Sequence, residues 1–204
     1  MPTPSKTREA TKQETRDALL AAGLAAFAAE GLDLPSLDAI CARAGFTRGA
    51  FYVHFRDRDE FLVAVMELVF GMLLDAVIAT GDDAHDLEHT VDRFATVVAL
   101  APTGGVPEAV GIPLHRVLDA CARSPQLRQR FVSMLQDGAA RLAAATRQGQ
   151  AAGTVRDDVD PQQLGQLLTF LALGVMAALD TGVPFDPGLA RDVALRLLVP
   201  ARPR

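Results

Sequence analysis

Apolar residues recur at intervals of three and four along most of this chain, and no convincing strand pattern interrupts them. The sequence therefore reads as all-α, with about nine helices. The first runs from about Lys12 to Glu30, with Leu19, Ala22, Ala26 and Phe27 on its core face and Gly31 as its stop. Two short helices fill 36–55. The fourth starts at Asp57, whose carboxylate can cap it, and continues to about Thr80, roughly 35 Å at the helical rise. That length reaches from one domain into a second. Gly81-Asp82-Asp83 breaks the pattern, a fifth helix covers about His85 to Leu100, and Pro102–Gly105 makes a loop. The sixth is expected from about Pro107 to Ala122, kinked or split by Pro113. Ser124-Pro125 and Gly153 bound the seventh, and Asp160-Pro161 and Gly182 the eighth. A short ninth takes about Pro187 to Leu198, before a Pro-rich tail.

The stretch PSLDAICARAGFTRGAFYVHFRDRDEF at 35–61 carries the clearest chemistry. Ser36 is a good N-cap, and Leu37, Ile40, Cys41 and Ala44 fall on one helical face. Gly45 suits the left-handed residue that ends this helix, and Thr47 can cap the next. Phe51 and Phe55 then share a buried face, leaving Arg48, Ala50, Tyr52 and His54 on other faces. A short helix with an apolar back and an Arg/Tyr/His front suits a DNA major groove. Thr47 can bond a phosphate through its hydroxyl and backbone N–H. Arg48 can pair with guanine O6 and N7, Gly49 and Ala50 permit close approach, and the Ala50 methyl can meet a thymine methyl. Ser36 and Arg43 are further phosphate candidates. A solvated charge is the plain alternative for Arg48.

The run Gly45-Phe46-Thr47-Arg48-Gly49-Ala50-Phe51-Tyr52-Val53-His54-Phe55 resembles the signature of the TetR family of bacterial transcriptional regulators. The likeness extends back through Thr15–Leu20 and Phe27 to Gly31, and forward through Arg56–Glu60, about the first third of the chain. It implies a homodimer whose N-terminal domains bind a near-palindromic operator, most often as a repressor. Tyr52 and His54 match family positions that reach the DNA backbone, and Arg58 matches one where the family often has lysine. Packing between helices is the alternative for Tyr52 and His54. The expected division is a flexible basic arm (1–11), a helix-turn-helix domain (12–58), a helical effector-binding and dimerisation domain (59–199) and a tail (200–204).

The eighth helix is apolar on most sides, so it needs cover from its own domain and from something else. The family commonly pairs its last two long helices, which suits a two-fold bundle. The expected interface takes Leu164, Leu168, Leu171, Val175 and Leu179, with Leu195 from the ninth helix. A simple buried core helix is the other reading. The resemblance also implies an effector pocket among helices 4 to 8. Met66, Phe70, Leu73, Phe94, Val98, His115, Phe131, Met134 and Phe170 could line it, although each also reads as ordinary core. Few aromatics and little paired charge suggest a largely apolar small molecule, with His115 and Arg116 anchoring a polar end.

Composition adjusts this picture only slightly. The 204 residues suit one or two domains, and half of them are hydrophobic. The net charge of −5 counts mildly against nucleic acid. Yet Lys6, Arg8, Lys12 and Arg16 gather at the first helix, and Arg43, Arg48, Arg56 and Arg58 around the motif. Met1–Arg16 has no apolar core of a signal peptide. The apolar stretch 61–78 is interrupted by Glu67 and Asp75, and 164–179 falls short of the ~20 residues a membrane span needs. Both read as buried helices, with no membrane partner. Cys41 and Cys121 are isolated, which fits a reduced cytoplasmic setting, a redox switch between them being the alternative. His85 and His89 could share a metal on a helix but lack a third ligand. No phosphate loop, nucleophile elbow or CxxC motif occurs, so no catalytic residue, metal or cofactor is assigned. A helical interaction protein without DNA binding is the rival function, and salt dependence separates the two.

Overall fold

The computed structural model describes residues 4–32, 35–77, 87–100 and 112–200, and among them every regular element is an α-helix. They are α1 (Pro4–Glu30), α2 (Leu37–Ala44), α3 (Arg48–Tyr52), α4 (Arg58–Val77), α5 (Leu87–Leu100), α6 (Leu114–Arg123), α7 (Pro125–Ala152), α8 (Pro161–Thr181) and α9 (Pro187–Leu198).

Local chemistry explains most of these boundaries. The Ser36 hydroxyl accepts the Ala39 N–H at 3.1 Å, and Thr47 does the same for Ala50 at 3.3 Å. Gly45 closes α2 at φ 77°, a conformation that costs a side chain dearly, and its N–H bonds the Ala42 carbonyl. At α4 the Asp57 carboxylate accepts the Glu60 N–H at 2.8 Å, while Glu60 reaches back to the Arg56 N–H at 2.8 Å. Ser124, Asp160 and Asp186 cap α7, α8 and α9, each of which has proline in its first turn.

Two boundaries bear on the sequence reading. First, α1 begins at Pro4 rather than near Lys12, so most of the expected arm is helical. Proline suits a first turn, and Glu, Ala, Lys and Gln then favour helix, but no apolar stripe marks the segment. Second, Pro113 stands as the N-cap residue of α6, so the described part of the sixth helix opens immediately after the proline at which a kink or split is expected. The expected start at Pro107, the break at 81–83, the 102–105 loop, His85 and the tail from 201 lie outside the described residues.

Phe27 of α1, Phe51 and Phe55 of the motif and Phe61 of α4 pack as one aromatic group. The Phe61 ring lies 5.2 Å from Phe51, 4.9 Å from Phe55 and 6.1 Å from Phe27. The same apolar core continues without a gap through Val65, Met66 and Val69 of α4 to Val117 and Cys121 of α6 and to Leu127, Phe131 and Met134 of α7. The helix-turn-helix is therefore packed directly onto the rest of the chain through α4. A second, smaller core joins Leu87 of α5, Ala145 of α7, Leu164 of α8 and Leu198 of α9.

Helix α8 departs from the expectation of a buried helix. It has 21 residues and is long and apolar enough to cross a membrane, yet only 11% of its apolar window is buried within the chain. Its inner side sits against α7, where Gly165 lets the backbones come close. Its outer side carries Leu167, Phe170 and Leu171, all more than half exposed, and α9 adds Leu189, Val193 and Leu197. Asp160 caps the N-terminus of α8, Gly182 closes its C-terminus, and its inner side packs on α7. The outward apolar face remains to be covered.

Candidate nucleic-acid interface

The turn between α2 and α3 presents Thr47, Arg48 and Gly49 at the surface, with Tyr52 on the same short helix. Phe51 is fully buried beneath them, and the edge of the Tyr52 ring packs on it with centroids 5.4 Å apart. Thr47 and Ser36 use an oxygen lone pair for capping, which leaves each O–H proton to donate to an incoming phosphate. Gly49 adds no bulk, while Ala50 is half-buried and offers only part of its methyl.

Arg48 is not a free solvated charge. Its Nη1 lies 3.4 Å from Asp38 Oδ2, its Nη2 donates to the Tyr52 hydroxyl at 3.5 Å, and its Cζ stands 5.9 Å from the Tyr52 ring centroid. The Tyr52 hydroxyl and the Asp38 carboxylate both push its pKa further above the ordinary guanidinium value. The base-reading candidate is thus pre-ordered by one neighbour on α2 and one on α3.

His54 is half-buried, and burial holds its pKa below the ordinary histidine value, with Lys12 and Arg16 adding electrostatic repulsion. Lys12 and Arg16 stand one turn apart on α1, and the Arg16 guanidinium lies 5.4 Å from the Phe55 ring centroid. The N-terminal half of α1 thus adds cations to the face that His54 borders. The i, i+4 spacing of Lys12 and Arg16 was the signal available in the sequence. Asp38 had none.

Two expected DNA contacts are tied elsewhere. Arg58 donates to the Pro35 carbonyl at 2.5 Å and the Leu32 carbonyl at 2.8 Å, with its guanidinium 5.8 Å from the Phe27 ring centroid. It holds the segment before α2 onto α1 and α4, so a phosphate must compete for these donors. Arg43 forms an exposed pair with Glu30 at 3.1 Å, so a phosphate must compete for it.

The expected effector residues divide as well. Met66, Phe131 and Met134 are buried in the large core, and the half-buried Phe70 meets Phe131 with ring centroids 5.5 Å apart. Val98 is buried outside that cluster, Phe94 is half-buried, and the side chain of Leu73 lies outside the described residues. His115 is exposed and bound to Asp180, and Phe170 is 63% exposed on the outer side of α8. Neither lines an interior site, because each points away from the core its helix packs on. Among the expected interface residues, Leu164 is buried against its own chain and Leu168 packs beside it. Leu171 is exposed, and Val175, Leu179 and Leu195 are half-covered. Leu167 of α8 and Leu189, Val193 and Leu197 of α9 are exposed as well.

Two family profiles match the chain: "Bacterial regulatory proteins, tetR family" over residues 19–65 and "Tetracyclin repressor-like, C-terminal domain" over residues 114–182. The HTH-type transcriptional regulator SrpR of Pseudomonas putida is 44% identical over 57 residues, a match covering 28% of this chain and only 27% of SrpR. The HTH-type transcriptional repressor Rv3405c of Mycobacterium tuberculosis is 30% identical over 134 residues, covering 66% of this chain and 68% of the relative. Among solved structures, a complex of SmeT with triclosan superposes with a TM-score of 0.67 at 26% identity, over 91% of each chain. The related SmeT structure is described as the repressor of a Stenotrophomonas maltophilia multidrug efflux pump.

Proposed function

This chain belongs to the TetR family of bacterial regulatory proteins, and from that premise we propose that it is a transcriptional repressor binding a near-palindromic operator as a homodimer. The observation that carries the proposal is the exposed Thr47–Arg48–Tyr52 face held on a fully buried Phe51. Thr47 and Ser36 bond phosphates, Arg48 reads a guanine, and Tyr52, His54, Lys12 and Arg16 meet the flanking backbone. DNA meets it in the cytoplasm, and no catalytic step is assigned.

Dimerisation is proposed through the outward sides of α8 and α9. Leu167, Phe170, Leu171, Leu189, Val193 and Leu197 leave an apolar surface that a second copy would cover. The effector is proposed to be a small, largely apolar molecule entering among Met66, Phe70, Phe131 and Met134, apolar residues between α4 and α7. A small-molecule complex, with triclosan, exists for the similar SmeT. Because α4 belongs to the core of both halves, a ligand that displaces it shifts the population of DNA-competent dimers.

Selection from a random duplex library at near-physiological salt tests the reading. An enriched palindrome with half-sites about one helical turn (34–36 Å) apart is expected. An interaction protein without DNA binding would enrich nothing and would associate with little salt dependence.

A further inference from the structure

Asp38 lies in the first turn of α2, and its carboxylate and the Arg48 guanidinium approach to 3.4 Å across the two helices of the motif. Both side chains are open to solvent, 69% and 54% exposed, so packing does not force them together. Tyr52 completes the arrangement from the other side, through its hydroxyl and its ring. An acidic side chain is a costly component of a surface meant for DNA, since it repels phosphates and neutralises a cation that would otherwise displace counterions. Its favourable interaction with the α2 dipole is small at an exposed site and needs no arginine.

Resting on the DNA-binding reading above, we infer that Asp38 is a specificity-determining positioning residue that withholds Arg48 from backbone phosphates and aims it at a base. Arginine carries five N–H donors in a fixed fork. Asp38 engages Nη1 and Tyr52 engages Nη2, each through one hydrogen, which leaves three N–H donors, the Nε–H among them, for guanine O6 and N7. On a duplex without the matching base, binding is almost wholly electrostatic, and a cation already paired with a carboxylate adds little to it. Asp38 therefore weakens the wrong complex while leaving the guanine-reading edge of Arg48 in place. Specificity is a difference between two affinities, and repulsion of the wrong partner raises it as effectively as attraction to the right one.

Binding of the full chain to its selected operator and to a scrambled duplex, followed by fluorescence anisotropy across a salt series, tests this. Asp38→Asn is expected to bind the scrambled duplex roughly ten-fold tighter, with a salt slope steeper by about one released cation. Its ratio of operator to scrambled affinity falls, and a repeated selection loses preference at the base facing Arg48. Asp38→Glu restores the ratio. In an Arg48→Ala background the Asn substitution leaves the ratio unchanged. Equal changes on both duplexes, or an effect that persists without Arg48, would overturn the positioning role and leave Asp38 a first-turn charge on the α2 dipole. If the unsubstituted chain does not discriminate between the duplexes, the DNA-binding reading fails first and takes this inference with it.

Discussion

A Cβ placed on Gly165 of α8 would stand 2.4 Å from the carbonyl oxygen of Ala139 and 2.9 Å from the backbone nitrogen of Ala143, both on α7. The obstacle is backbone, which cannot swing aside as a flexible side chain does. Gly165→Ala should therefore destabilise the chain by about 1–3 kcal/mol through overpacking, although alanine is the better helix former. Urea denaturation measures it. An unchanged or raised midpoint would mean that α7 and α8 can separate without penalty.

Leu171→Glu should leave one chain folded and abolish its pairing. The side chain is 54% exposed within the chain, so glutamate meets water there. In a dimer sealed on this side it would be an unpaired buried charge. Light scattering should give the monomer mass with unchanged circular dichroism. A variant that stays dimeric would move the interface off this side of α8.

Arg58→Lys separates two roles that look alike in sequence. Lysine keeps the charge a phosphate needs but loses the fork that reaches Pro35 and Leu32 together. A loss of about 2 kcal/mol in folding stability is expected, with operator affinity of the folded protein unchanged. The reverse result would return Arg58 to the DNA contacts.

His54 should make both folding and binding depend on pH, in opposite directions. Burial, then Lys12 and Arg16, hold its pKa below 6.5. The unfolded chain therefore takes up this proton first as pH falls, and folding stability is full above about pH 6.5 and declines below it. A phosphate beside His54 favours the charged form, so operator affinity should rise as pH drops from about 7.5 to about 5.5. His54→Gln should flatten that dependence. Parallel pH profiles for the two proteins would remove His54 from the DNA contacts.

What the sequence could and could not reveal follows the range of the chemistry. The caps Ser36, Thr47 and Ser124, the closing Gly45 and the proline-opened helices depend on partners within five residues, so local reading found them. The start of α1 at Pro4 was hidden because polar helix formers give no apolar period. Helix α8 defeated periodicity for the opposite reason: leucines on most sides cannot say which of them meets α7. Leu164 and Leu171, seven apart on one stripe, differ in burial only because the rest of the chain covers one level of the helix and not the other. Arg58 with Leu32, and Arg48 with Asp38, are pairs that only the folded chain brings together. The charge census registered the arginines but not where they were spent.

Helix α3 has only five residues, about 7.5 Å of axis against roughly 3.4 Å for each base-pair step. One copy can thus spell out about two or three letters of DNA, a word repeated many thousands of times in any bacterial chromosome. Two copies double the word but not enough to make it rare. The address must then lie largely in the distance and rotation between two short words, a ruler rather than a text. A molecule that alters the ruler by a few ångströms would erase the address without touching a single letter.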